Sequence, residues 1–392
     1  MAQGREFDVI VYGATGYTGR LVAEYLSKTY GNGGDVKWAM AGRSADKLAA
    51  VRDEIGAPTD TPLVVANADE PETLAAMAAR AGCIATTVGP YQLYGEPLVA
   101  ACVEAGTDYV DLCGEPAWMH QMIAKYEGRA QESGARIVFS CGFDSIPFDM
   151  GVWFLQAAAK KTLGAPVPRI KGRVRAMQGS FSGGTAYSLR ATLAAVEKDP
   201  SLVAVLTNPF SLTMGFNGPE QPSGLAPVED SDIGSWSAPF IMASINTKNV
   251  HRSNALMGHA YGEDFTYDEM MLTGPGEQGK AMAEALANTD MLGGEDGPKP
   301  GEGPTPEERE AGFYDVLFYG IADDGRTIKV GVKGDKDPGY GSTSKMLSEA
   351  ALTLVKDPIG TPGGVWTTAP ALGQHLIDRL TAKAGLSFAV ED

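Results

Sequence analysis

Residues 7–19 read Phe-Asp-Val-Ile-Val-Tyr-Gly-Ala-Thr-Gly-Tyr-Thr-Gly. The first six are mostly apolar with little alternation, the pattern of a parallel strand covered on both faces. Gly13 follows that strand directly, and Gly16 and Gly19 open a stretch of helical spacing that runs to Tyr30. Such a turn lets backbone N–H groups approach a ligand with no side chain in the way. The start of the following helix adds unpaired donors and a positive dipole end. Strand, glycine turn and helix in this order predict a dinucleotide diphosphate held by Gly13, Ala14, Thr15, Gly16, Tyr17, Thr18 and Gly19. The plain alternative is a tight strand–helix turn with nothing bound.

The second predicted strand bears on which dinucleotide this is. An NAD-selective site usually ends that strand in an acidic residue that holds the ribose 2′-hydroxyl. Here it ends Ala41-Gly42-Arg43-Ser44, with Lys47 one turn into the next helix. Arg43 offers a planar charged fork to a 2′-phosphate and Ser44 a hydroxyl donor, so NADP(H) is the expected cofactor. The fourth strand runs into Thr86-Thr87-Val88-Gly89-Pro90-Tyr91. Ligands of open α/β sheets lie beyond the carboxyl ends of the strands, so Gly89 and Pro90 are expected to pass close to the cofactor. Tyr91 or Tyr94 would then face the nicotinamide; the alternative is a rigid turn with both tyrosines packed.

Working outward, strands are expected at 7–12, 36–41, 63–66, 83–87, 109–112 and 136–140. Helical spacing falls between them at 17–30, 45–55, 71–79, 95–105 and 116–131. This alternation predicts an α/β Rossmann-type, doubly wound parallel sheet. After about residue 150 the texture changes to α+β. Residues 168–177 alternate as an open-faced strand, 183–198 as a helix, and 313–322 and 327–332 flank the turn Asp323-Asp324-Gly325-Arg326. A second domain built on a mostly antiparallel sheet is expected. The division is 1–150 for the NADP-binding domain, completed by helices within 341–392, and 151–340 for substrate binding and dimerisation. Residues 208–237 and 293–312 are rich in Pro and Gly and read as loops or lids.

The 392 residues suggest two domains, and 44% hydrophobic content supplies a core for each. A net charge of −17 repels phosphate backbones and argues against a nucleic-acid partner. It also gives no support to electrostatic anchoring on anionic lipid, although loose membrane association stays open. The four cysteines form no CxxC pair and read as buried thiols; the four histidines lack metal-ligand spacing, so no metal is expected. His251 and His259 stand eight apart on an expected helix. No secretory signal and no uncharged apolar run of about 18 residues is seen, so the expectation is a cytoplasmic protein. An exposed antiparallel sheet would suit a homodimer.

The fifth and sixth strands end in polar clusters, Asp111 with Glu115 and Cys141 with Asp144 and Ser145. Asp144 joins Tyr91 and Tyr94 as a catalytic candidate. Helix capping by Asp111, Asp144 and Ser145 is the structural alternative. None of the fourteen tyrosines has lysine four residues on, which disfavours the short-chain dehydrogenase mechanism.

The stretches GATGYTG, AGRS, VGPYQLYGEPLVAACVEAGTDYVDLCGE and CGFDSIPFDMG resemble the saccharopine dehydrogenase-like oxidoreductases, and in particular their trans-acting enoyl reductase branch. The resemblance continues through Ser182-Gly183-Gly184-Thr185, PGEGPTPEERE and GGVWTTAPALG. It implies an NADP-binding Rossmann domain, a second domain closing over the nicotinamide, and reduction of a C=C or C=N bond. In the enoyl reductase branch the implied small-molecule substrate is an acyl or polyketide-type chain, an acyl thioester of lipid metabolism. The rival readings are an opine-type C=N reductase, which needs several basic side chains in the cleft, and a non-catalytic NADP-binding sensor. Arg173, Arg175 and Arg190 are the basic residues available for the former.

Overall fold

The computed structural model describes residues 4–32, 34–143, 145–179, 183–289 and 302–392. The first strand, Phe7–Tyr12 (β1), pairs in parallel with Trp38–Gly42 (β2) on one side and Ala81–Thr86 (β4) on the other. Leu63–Val65 (β3) extends the β2 side. Asp108–Val110 (β5) and Arg136–Val138 (β6) extend the β4 side. The strands are joined by Tyr17–Tyr30 (α1), Ala45–Glu54 (α2), Pro71–Ala78 (α3), Tyr91–Tyr94 (α4), Glu96–Ala105 (α5) and Pro116–Ser133 (α6). This is the doubly wound sheet that the sequence predicts. Its order reverses between β1 and β4, which makes their carboxyl ends the switch point of the sheet.

Ile146–Thr162 (α7) leads into the second sheet. Arg169–Gln178 (β7) is its middle strand, followed in sequence by helices Gly183–Lys198 (α8) and Leu202–Thr207 (α9). Val228–Asp230 (β8), Ser235–Pro239 (β9), helix Ala243–Leu256 (α10), Thr266–Gly274 (β10) and helix Gly276–Ala287 (α11) come next. A short helix Pro306–Ala311 (α12) precedes the hairpin Phe313–Ile321 (β11) and Thr327–Gly334 (β12). The chain then runs through Thr343–Lys356 (α13), Gly364–Trp366 (β13), Thr368–Arg379 (α14) and Leu386–Glu391 (β14). The second sheet is ordered β14-β12-β11-β7-β10-β9-β8 and is antiparallel except where β10 meets β7.

The last fifty residues serve both sheets. β13 pairs with β6 and becomes the edge of the parallel sheet, while β14 pairs with β12 at the edge of the other. One apolar cluster fills the space between the sheets. It runs from Val9 and Val11 through Met150 and Leu155 of α7 and Met346 and Leu347 of α13 to Val316, Phe318 and Val330. A side chain at Gly151 would overlap the Phe318 ring, so α7 seats directly on the second sheet. A second cluster joins the opposite face of the parallel sheet, Ile10, Ile84 and Tyr109, to α3, α5 and α6. The four cysteines are all buried thiols.

Three stretches differ from the expectation. Residues 208–237 are not all loop, because β8 and the start of β9 lie within them. The hold there is ionic: buried Asp230 pairs with Lys171 and Arg173, and no apolar run marks the strand. Residues 290–301, which include the first part of the acidic loop, lie outside the described residues; 306–311 form α12, capped by Thr305 and Glu308 in a reciprocal box. His259 lies beyond α10 with φ +59° and does not share a helix with His251.

His251 is buried in α10 against the rings of Phe210 and Phe265, and its Nε2 has no partner among the described residues. Burial, with nearby Lys248, pushes its pKa down to about 3. The unfolded chain therefore takes up a proton below about pH 6.5 that the folded chain refuses, and stability falls as pH falls through that window. Urea midpoints of His251→Phe measured from pH 7 to 4.5 should lose a slope of as much as about 1.4 kcal/mol per pH unit relative to the parent.

Candidate dinucleotide and substrate site

At the switch point the glycine turn is built by close approach. Gly13 sits at φ +91°, and a side chain there would meet Val88 Cγ2 at 2.7 Å and Thr87 Oγ1 at 2.9 Å. A side chain at Gly19 would overlap the Gly13 carbonyl oxygen. The Gly13 and Ala14 amides donate to the Ala41 carbonyl at the end of β2, which ties the turn to the neighbouring strand. Gly16 is the N-cap of α1 and contributes no side-chain cap, so the first-turn amides face the crevice beyond β1. Such a cradle fits a dinucleotide diphosphate.

The end of β2 carries the features expected of a 2′-phosphate site. Arg43 and Lys47 are exposed, and the Arg43 charge acts on the buried phenol of Tyr12 at the end of β1, which places it over the sheet edge. The Ser44 oxygen accepts from the Lys47 amide and caps α2. An acidic residue is absent at the last position of β2.

Beyond β4, Thr87 Oγ1 donates to the Gly13 carbonyl at 3.4 Å, so the two loops of the switch point touch. Gly89 and Pro90 then lead into α4. Tyr91, expected to face the nicotinamide, is only 5% exposed. Its hydroxyl donates to the Thr86 carbonyl and accepts from the Leu112 amide at 3.0 Å, and its ring lies on Trp118. Its proton is thereby committed to the fold. Tyr94, at the end of α4, is 40% exposed. Asp144 lies outside the described residues.

The polar ends of β5 and β6 work as fasteners. Buried Asp111 accepts from Tyr109 Oη, the Cys113 amide and the Ser140 amide, which locks the two loops together. Burial lifts its carboxyl to about 7 against those hydrogen bonds. Glu115 spends both oxygens on the Tyr91 and Gln92 amides at the start of α4 and accepts from Ser188 of α8. Cys141 is fully buried, its thiol held up by desolvation. Ser145 accepts from Asn249 of α10. Sequence reasoning noted these residues but could not see that their partners are mostly backbone amides and helices of the second half.

Two features of the site are absent from the sequence reading. Residues 302–312 form a strap on the first residue of α1. Tyr17 Oη donates to the Pro304 carbonyl, and Arg309 donates to both Tyr17 Oη and that carbonyl at 2.9 Å. Gly303 lies so close that a side chain would meet the Tyr17 ring at 2.6 Å, while Tyr340 packs edge-on against its other side. At the strap's far end Asp337 donates its amide to the Arg309 carbonyl. The other feature is the state of the basic residues. Arg173 is buried between Asp230 and Asp268, and Arg169 pairs with Asp268. Arg175 is shared by Asp315 and Glu391, and Lys171 by Asp230 and Asp232. Arg190 of α8 is exposed.

The sheet order and the cradle at its switch point are those of a dinucleotide-binding fold, with a second sheet packed across α7. Residues 9–138 match the family model of the saccharopine dehydrogenase NADP binding domain. A protein of Mycobacterium tuberculosis H37Rv named putative trans-acting enoyl reductase is 42% identical over 416 residues, covering 99% of this chain and 98% of that one. A trans-acting enoyl reductase of Mycobacterium bovis BCG is 36% identical, covering 96% of each chain. Among solved structures, apo saccharopine dehydrogenase (L-Glu forming) of Saccharomyces cerevisiae shares the fold, with TM-score 0.54 and 12% identity over 98% of this chain and 100% of that one. The chain belongs to the saccharopine dehydrogenase-like oxidoreductases and binds NADP(H). No helix among the described residues is long and apolar enough to cross a membrane.

Because α1 rests on the Gly13 carbonyl, Gly19→Ala should cost about 1–3 kcal/mol of stability and weaken NADPH binding more than tenfold. Gly128→Ala, in open space inside α6, should instead gain about 0.5–1 kcal/mol. Denaturation curves and NADPH fluorescence titrations on the two variants provide the comparison.

Proposed function

We propose that the protein reduces the C=C bond of an enoyl thioester with NADPH, on an acyl or polyketide-type chain of lipid metabolism. The observation that carries this reading is the end-to-end likeness to relatives named trans-acting enoyl reductase. The charge pattern of the second sheet supports it against the opine alternative. An opine carries carboxylates that need free basic partners, yet Arg169, Lys171, Arg173 and Arg175 are all paired with the chain's own carboxylates.

In this reading the turn 13–19 holds the diphosphate, and Arg43, with Ser44 and Lys47, holds the 2′-phosphate. Gly89 and Pro90 flank the nicotinamide. When bound, NADPH supplies the hydride. What remains for the protein is to orient the thioester, to stabilise charge on its carbonyl oxygen and to deliver one proton to the α-carbon. Of the two tyrosines of α4, Tyr94 is the exposed one and takes the proton-donor role, with Asp144 as a further candidate. Tyr91 positions α4.

Oxidation of NADPH by crotonyl- and dodecenoyl-pantetheine, with amino acid plus 2-oxo acid pairs run in parallel, tests the reading. Turnover of the enoyl thioesters is expected; turnover of the amine pairs alone would replace it with the opine reading, and tight NADPH binding without any turnover would favour a sensor. Arg43→Ala should weaken NADPH about 10–100-fold and leave NADH nearly unchanged. Tyr94→Phe should lower kcat by about 10²–10⁴-fold without altering NADPH affinity; an unchanged kcat removes Tyr94 from the proton path.

A further inference from the structure

Tyr17, on which the strap 302–312 rests, is the first residue of α1, next to the N-cap Gly16. Its own amide is one of the first-turn donors that have no partner within the helix. The strap therefore runs from the second half of the chain to the start of the helix that forms the dinucleotide cradle. Three contacts fix it there. The Tyr17 hydroxyl donates to the Pro304 carbonyl, and Arg309 Nη1 donates to that hydroxyl and to the same carbonyl. The guanidinium also lies 5.9 Å from the centre of the Tyr17 ring, a cation over an aromatic face.

Arg309 differs from other arginines of the chain in how its guanidinium is used. Arg80, Arg136 and Arg379 each turn the Nε and Nη2 edge onto both oxygens of a carboxylate, those of Glu6, Asp108 and Asp357. In Arg309 Nη1 alone is engaged, and the Nε–Nη2 edge meets no acceptor among the described residues. Acids near it are committed elsewhere. Glu308 accepts from the Thr305 amide, Glu310 pairs with Lys336, and both oxygens of Asp337 accept from the Tyr340 and Gly341 amides. Arg20, the other cation that acts on the Tyr17 phenol, is paired with Glu54. An arginine held at one nitrogen, with its planar edge unanswered, is set to take a bidentate anion, and phosphate oxygens match that edge.

We infer that Arg309 is a ligand of the NADP(H) diphosphate, contributed by the second half of the chain and held in place by Tyr17. The inference needs NADP(H) binding and not the enoyl reductase reading. The charged groups of the cofactor are then divided between two arginines, Arg43 for the 2′-phosphate and Arg309 for the diphosphate. The strap continues through the Asp337 amide, which donates to the Arg309 carbonyl, into the turn before α13. Bound cofactor therefore fastens the second half of the chain to the first.

The test follows NADPH fluorescence on the full chain, without substrate, at increasing salt. Adenosine 2′-phosphate, a fragment that lacks the diphosphate, serves as competitor. Arg309→Gln should weaken NADPH about 10–100-fold, flatten the salt dependence of its affinity and leave the fragment's affinity unchanged, which also verifies the fold. Arg309→Lys, which keeps the charge without the planar edge, should fall between Arg309→Gln and the parent. Tyr17→Phe removes the hydroxyl that holds the strap but keeps the cation; it should weaken NADPH no more than severalfold and preserve the salt dependence. An unchanged NADPH affinity in Arg309→Gln overturns the inference. So does an equal loss of the fragment, or a loss in Tyr17→Phe as large as that in Arg309→Gln, because either makes Arg309 a staple of the strap and not a ligand.

Discussion

The start of α1 lies against the end of β1 only because neither Gly13 nor Gly19 carries a side chain. That contact sets everything at the switch point. It brings the first-turn amides of α1 over the sheet edge, lets Thr87 reach the Gly13 carbonyl from β4, and presents Tyr17 to the strap from the other half of the chain. Backbone meets backbone there, so the geometry is insensitive to side-chain choice nearby and very sensitive at these two positions. A phosphate site needs this arrangement, because its donors must be fixed before the ligand arrives and cannot be recruited from mobile side chains.

The first half of the fold was legible because its physics is local. Each strand of the parallel sheet is an apolar run between helical stretches, and apart from the short α4, which reads as a turn in the sequence, the predicted and observed elements agree to within a few residues from Phe7 to Ser133. The glycine turn and Arg43 were legible for the same reason. What escaped depends on distant partners. β13 is three residues long and is a strand only because β6 offers it an edge. β8 is held by Asp230 on Lys171 and Arg173, a pairing that no periodicity reveals. Tyr91 and Tyr94 look alike in sequence; the Leu112 amide and Trp118 hold the first as a buried post while the second is exposed.

The second sheet shows how a strongly acidic chain uses its few cations. Arg173 and its neighbours look like a ligand-binding stripe along β7, yet every one of them is drawn onto carboxylates of β8, β10, β11 or β14 and the adjoining turn. Leaving any of these charges buried without a partner would be costly, so the network is mutually required. It holds edge strands that have little apolar surface of their own.

The return of the chain to its first sheet has a consequence for biosynthesis. A nascent chain that has extruded β1 to β6 has made every element of the nucleotide fold except its lid on one face and its last edge strand. The apolar surface later covered by α13 and the unpaired rim of β6 stay bare until residues 343–366 emerge. The parallel sheet is completed only by residues some two hundred positions further along the chain.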